Sequence, residues 1–149
     1  MTGDAPDITR PEATRLVARG ARRLLRDMGF AALAEVPLPS GRRADLVALA
    51  PDGTLHIVEI KSSRADFVAD RKWSYYLDHC DRFYFAFPQS LPPELFPPGP
   101  GLIVADAHGG EMLRAAPLQK LAPAARRAML VRFGVLAAER LQLAGARDF

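Results

Sequence analysis

Two apolar runs joined by Pro51-Asp52-Gly53 constrain this chain more than any other feature. The runs, ADLVAL (44–49) and LHIVEI (55–60), are short and rich in aliphatic residues, so they read as neighbouring strands. Pro51 suits the second position of a type I turn, and Gly53 can take the left-handed conformation of a G1 bulge. A three-residue loop makes Ala50 and Thr54 the flanking pair. Counting back, Leu49 faces Leu55, Val47 faces Ile57 and Asp45 faces Glu59. A two-residue Asp-Gly loop would instead pair Asp45 with Ile60 and turn it to the other face. The proline favours the longer loop.

Other elements follow from periodicity. Thr9 and Glu12 have capping-box spacing, Pro11 fits a first helical turn, and Gly29 supplies a stop. Between them Leu16, Val17, Ala21, Leu24, Leu25 and Met28 recur at helical spacing, while Arg15, Arg19, Arg22, Arg23 and Arg26 decorate the rest of the helix. Residues 30–36 form a strand closed by Pro37 and Pro39. Residues 63–79 are helical in one or two pieces, and 82–87 (RFYFAF) is an aromatic strand. The stretch 88–101 holds six prolines and two glycines and reads as an ordered loop. Segments 102–105 and 112–115 make a hairpin across His108-Gly109-Gly110, and a last helix covers about 123–143. Apart from Asp45 and Glu59, the strands 44–49 and 55–60 are mostly apolar on both faces (Leu46, Val47, Leu49, Leu55, Ile57, Val58, Ile60), as in a sheet covered on both sides. This order predicts an α/β domain with a central mixed sheet flanked by helices on both faces.

Composition narrows the setting. A chain of 149 residues that is 49% hydrophobic and 25% charged has the balance of one globular domain, 1–149, with flexible ends at 1–8 and 144–149. No apolar run approaches the ~20 residues needed to cross a bilayer, and no apolar signal region opens the chain. The single Cys80 excludes an internal disulfide and a cysteine-built zinc site. A cytoplasmic protein with no membrane partner is expected. No Walker-type or GxGxxG loop occurs, which argues against nucleotide hydrolysis and dinucleotide binding. Residues 1–43 carry eight basic and five acidic side chains, 44–121 seven and ten, and 122–149 five and two. Basic ends around an acidic middle suit a domain that grips a polyanion and holds a cation at its centre.

The chemistry concentrates in Asp45, Glu59 and Lys61. Glu59 and Lys61 are two apart on one strand and share a face; directly opposed residues of an antiparallel pair lie ~5 Å apart at Cβ. Two carboxylates this close repel unless one is protonated or a cation sits between them. Oxygen donors, with the Ile60 main-chain carbonyl as a further ligand, favour Mg²⁺ or Mn²⁺. Such an ion holds a phosphate oxygen and lowers the pKa of water for attack on a phosphodiester, and Lys61 can orient the water or stabilise the transition state.

The segment 43–61, with its Ala44-Asp45 followed by Glu59-Ile60-Lys61, resembles the PD-(D/E)xK nuclease superfamily. The stretch EIKSSRADFVADRKWSYYLDHCDRFYFAFP (59–88) resembles more closely the MmcB-like family of bacterial DNA repair proteins, over nearly the whole chain. The superfamily implies a restriction-endonuclease-like core and Mg²⁺-dependent cleavage of DNA; the family implies a role in DNA repair. Ala44 stands where the superfamily usually has proline. Many relatives add a glutamate from the first helix as a metal ligand: Glu12 is the candidate there, and Glu35 on the first strand is the alternative. In the following helix, related nucleases place polar and aromatic residues facing the site. Here these are Asp66, Asp70, Lys72, Trp73 and Tyr76.

Asp66, three residues after Ser63, has the position of a helix-capping residue. Lys72 is a candidate phosphate contact. Trp73 and Tyr76 can stack on bases or pack in the core, and core packing is the better expectation. Arg42 and Arg43, entering the site just ahead of Asp45, are the preferred phosphate contacts. His56 falls on the opposite face from Asp45, and Cys80 reads as a buried small residue. The expected function is metal-dependent hydrolysis of DNA in repair. The alternatives are a non-catalytic DNA-binding or scaffold module and a partner-binding domain. A domain this small offers a limited footprint on DNA, so a homodimer or a repair-protein partner is a further expectation.

Overall fold

In the computed structural model, which describes residues 10–69 and 72–145, six strands form one sheet in the order β1 to β6. The elements are α1 (Arg10–Asp27), β1 (Ala31–Pro37), β2 (Arg43–Leu49), β3 (Leu55–Ile60), α2 (Arg64–Ala69), a 3₁₀ helix (Trp73–His79), β4 (Arg82–Phe87), β5 (Gly101–Ala105), β6 (Gly110–Arg114) and α3 (Pro123–Leu143). A short 3₁₀ turn at Pro93–Leu95 interrupts the proline-rich loop. The segments 1–8 and 146–149 and Asp70 lie outside the described residues.

The 51–53 loop sets the register as its residue types demand. Ala50 N–H donates to the Thr54 carbonyl at 3.0 Å, Gly53 N–H to the Ala50 carbonyl at 2.9 Å, and Gly53 takes φ 85°. Leu49 then pairs with Leu55, Val47 with Ile57 and Leu46 with Val58. The β1–β2, β2–β3 and β5–β6 pairs are antiparallel, and β3–β4 and β4–β5 are parallel. The expected mixed α/β sheet is present, consistent with a restriction-endonuclease-like core.

Both faces of the sheet are covered. Val17, Ala21 and Leu25 of α1 pack with Leu46, Val58, Ile60, Tyr84 and Ile103 on one side. Met129 and Phe133 of α3 and Tyr76 of the 3₁₀ helix pack with Val47, Ile57, Phe83 and Phe85 on the other. Every residue of β3 is buried. Gly20 allows α1 to lie directly on the β5–β6 loop: a Cβ there would sit 1.9 Å from the Asp106 carbonyl oxygen.

Asp81 ties the far end of the sheet together. Its buried carboxylate accepts the N–H groups of Leu55 (2.7 Å) and Leu121 (2.9 Å) and a two-pronged contact from Arg126 of α3. Burial pushes this carboxyl up, but the Arg126 and main-chain hydrogen bonds outweigh it and hold the pKa below the ordinary value.

Candidate active site

Asp45 and Glu59 meet where β2 and β3 stop pairing. The ladder runs from Leu49 to Leu46, and beyond it the two acids take over the hydrogen bonding. Asp45 N–H donates to Glu59 Oε1 at 2.9 Å, and Ile60 N–H donates to Asp45 Oδ2 at 2.8 Å. Each carboxylate therefore caps a main-chain donor that the parted strands leave without a ladder partner.

The two acids were expected as cross-strand neighbours on one regular face. The structure brings them together differently. Leu46 packs on the α1 side of the sheet, yet Ala44 packs on the α3 side with Val47, so the in-out alternation switches at Asp45. β1 switches at the matching place: Ala34 packs on the α1 side and Val36 on the α3 side. Glu35 between them has φ 51°, an uncommon conformation for a residue with a side chain. Arg140 of α3 grips this kink, donating to the Ala34 carbonyl and, at 2.8 Å, to the Glu35 carbonyl. The switch lets Asp45 line a cleft on the α1 side, the same side of the sheet as His56.

The electrostatics follow from crowding. Glu59 is 5% exposed. Burial pushes its carboxyl up to about 9 from 4.5, and the Asp45 carboxylate beside it adds to the rise; Asp45 N–H and Lys61 pull the other way. The two side chains are also hydrogen-bonded to each other. Lys61 is buried, and its N–H donates to the Ala86 carbonyl at 2.9 Å, which seats it against β4. Oxygen donors around a shared negative charge fit a small hard cation, which takes one or two carboxylates and fills its remaining positions with water and phosphate oxygens. Among the described residues no group of three or more His, Cys, Asp or Glu stands together as a metal site. Neither Glu12 nor Glu35 therefore completes a triad with Asp45 and Glu59. Glu35 is exposed and 3.8 Å from Arg43.

The cleft occupies about 1040 Å³ between α1 and β1. One wall carries Arg15, Arg19, Arg22, Arg23 and Arg26, and Glu35, Asp45 and Ile60 line it together with Ala32 and Ala34. The first turns of α1 dock beside the Glu59-Ile60-Lys61 strand: Thr14 Oγ1 lies 2.9 Å from Ser62 Oγ, the residue after Lys61.

A family model described as DNA repair protein MmcB-like matches residues 2–147. The chain belongs to the MmcB-like family. It is similar to a solved protein of unknown function from Silicibacter pomeroyi, 42% identical, with a TM-score of 0.85 over 95% of this chain and 99% of that one. No curated protein matches the sequence. The family places the chain in DNA repair. No helix among the described residues is long and apolar enough to cross a membrane.

The remaining candidates of this MmcB-like chain divide clearly. Trp73 stacks on Phe83 with ring centroids 5.7 Å apart, and Tyr76 stacks on the same ring from 5.8 Å and is buried. Both pack in the core, the expectation preferred over stacking on bases: the 3₁₀ helix turns them onto β4. The exposed aromatic is their neighbour Tyr75, whose ring lies 4.8 Å from the Arg42 guanidinium carbon. Arg43 is exposed at the rim, and Lys72 is exposed at the start of the 3₁₀ helix. Ser63 Oγ caps Asp66 N–H at 3.1 Å, while the Asp66 carboxylate accepts from Ser62, as capping-box spacing implied. Burial lowers the His56 pKa, and the ring is packed between Phe30 and Tyr84. Burial raises the Cys80 thiol to about 12, leaving it unreactive.

Sequence reasoning missed the Glu35–Asp45 switch and the Arg140 clamp, for which the sequence holds no local signal. The α1 arginines read from the sequence both as solvated surface charge and as contacts that hold a DNA backbone; their i, i+4, i+7, i+8, i+11 spacing, which places them in one stripe, was the signal left unused.

Proposed function

We propose that this MmcB-like protein is a metal-dependent nuclease of the PD-(D/E)xK superfamily that hydrolyses phosphodiester bonds of DNA during repair. The observation that carries this reading is the interlocked Asp45–Glu59 pair, of which Asp45 lines an arginine-lined cleft, with buried Lys61 just beyond on the chain. Asp45 and Glu59, with the Ile60 carbonyl, would hold Mg²⁺ or Mn²⁺. Such an ion supplies Lewis-acid polarisation of the phosphate and a more acidic water. Glu59 must give up its proton to take part, so the pair favours the cation more as pH rises. Lys61 adds a positive charge where the phosphorane develops negative charge. Arg42, Arg43 and Lys72 would hold the backbone on the approach to the site.

Purified protein assayed with Mg²⁺ or Mn²⁺ on single-stranded, nicked, mismatched and branched DNA tests the reading. Metal-dependent cleavage, lost in Glu59→Gln and Lys61→Ala variants that keep their circular dichroism, is the expected result. A second reading, a non-catalytic DNA-binding scaffold, is favoured by the depth at which Glu59 is buried and by the lack of a third acid beside the pair among the described residues. Binding without cleavage on every substrate would decide for it.

A further inference from the structure

The five arginines of α1 have a property that ordinary surface charges lack. Arg15, Arg19, Arg22, Arg23 and Arg26 are all exposed, all line one cleft, and make no ion pair or hydrogen bond among the described residues. Surface arginines normally find carboxylate neighbours or are diluted among them. Here the acids of α1 are confined to its ends, Glu12 and Asp27. From Arg15 to Arg26 the stripe spans about 16 Å at helical rise, the length of about five phosphates at the ~3.4 Å duplex spacing and fewer on an extended strand.

The β1 side of the cleft carries small and apolar residues beside Glu35 and Asp45. Ala31, Ala32 and Ala34 line it with Phe30; Ala107 of the β5–β6 loop and Ala18 of α1 itself complete the small side chains of the lining. Small side chains leave room for bases beside a cationic wall that matches the backbone. A space of about 1040 Å³ is enough for a short stretch of one strand.

We infer that the α1–β1 cleft is a binding track for a single nucleic-acid strand, its phosphates on the arginine stripe and its bases toward β1. The track has a direction. Arg15 follows Thr14, which contacts Ser62 beside Lys61, and Arg26 lies at the distant end of the helix. The strand is therefore gripped along one side of Asp45. Calling that point the scissile position rests on the nuclease reading; the binding itself does not.

The test is anisotropy of a labelled oligothymidylate of about 12 nucleotides, titrated in EDTA across a range of KCl concentrations. About three to five phosphate contacts on a single strand give a log–log salt slope of about −2 to −3.5. The R19A/R22A/R23A/R26A variant should lose most of that slope and at least about tenfold in affinity. Alanine favours the helix, so the fold is retained, and R22A/R23A should show about half the slope change. R127A, at an exposed site on α3, should bind like the wild type. An unchanged slope in the fourfold variant overturns the track. Tighter arginine-dependent binding of the matching duplex than of the single strand overturns its assignment to one strand. Working in EDTA separates the two readings: a wild type that binds in this way but never cleaves with metal sinks the nuclease and keeps the track.

Discussion

Replacing Glu59 by Gln should stabilise the metal-free protein, and by more as the pH rises. The carboxyl is raised from 4.5 to about 9, first by burial and then by Asp45. Between those values the folded chain keeps a proton that the unfolded chain has released. The stability this group contributes is complete below pH 4.5, declines as pH climbs through the window, and is gone above about 9. Each pH unit inside the window costs ~1.4 kcal/mol, so at pH 7 the loss is about 3 kcal/mol. That is a large share of the ~5–15 kcal/mol that holds a domain together. The glutamine amide resembles the protonated acid: its oxygen still accepts Asp45 N–H and its NH₂ donates to the Asp45 carboxylate. Urea unfolding in EDTA, followed by circular dichroism from pH 5 to pH 9, measures the difference between variant and wild type; other ionisations cancel in it. The variant should gain about one proton's worth of slope, starting from near equality at pH 5. A difference that does not change with pH would mean that Glu59 is ionised in the folded chain, and the account of the pair would be wrong.

Asp81→Asn should cost about 2–4 kcal/mol, because it leaves Arg126 without its carboxylate and weakens the acceptors of two buried main-chain donors. The Asp81 carboxyl lies below its ordinary value, so its contribution is complete above the ordinary aspartate range and disappears as pH falls; the variant should show a shallower loss of stability in acid when unfolding is followed down to about pH 3. Gly20→Ala forces a methyl group against the Asp106 and Gly109 carbonyls and should lower stability by about 3 kcal/mol or more, seen as a drop in Tm. Arg140→Ala frees the carbonyls of Ala34 and Glu35. It should cost about 1–2 kcal/mol in stability and a disproportionate share of cleavage activity, through kcat rather than KM; full activity in the destabilised variant would deny the clamp a role in placing Asp45.

Much of the sheet was legible because its signals are local. Pro51 and Gly53 fix the hairpin, and the pairing of Leu49 with Leu55 and Val47 with Ile57 follows from loop length alone. The α3 boundaries follow from Pro123 and an unbroken helical run. The helical segment expected at 63–79 in one or two pieces is a six-residue α-helix and a 3₁₀ helix; the 3₁₀ form of the second piece accompanies the packing of Trp73 and Tyr76 onto Phe83, where tertiary packing outweighs propensity. Asp81 could not be recognised as a structural hub, since its partners at Leu55, Leu121 and Arg126 are 26, 40 and 45 residues away. The arginines were plain in the sequence. That they face one cleft depends on where α1 is laid across the sheet.

The candidate site illustrates why register reasoning can name the right residues with the wrong geometry. Two-residue alternation predicts that Asp45 and Glu59 share a face, and it holds from Leu49 to Leu46. It fails at the acid itself, where Ala44 and Val36 have both crossed to the α3 side and Glu35 adopts a left-handed backbone. A regular ladder would satisfy the main-chain N–H groups of this region without calling on either carboxylate. Parting the strands reverses that outcome: the acids become the acceptors of Asp45 and Ile60 N–H, and are thereby held together and partly desolvated. Burial first, and then repulsion from Asp45, raises the Glu59 pKa, so the folded state favours a proton on this pair. Functional groups gather where a local rule is broken and the surroundings compensate. Arg140 is the compensation here, which is why a residue on α3, across the sheet from the cleft, bears on what Asp45 can hold.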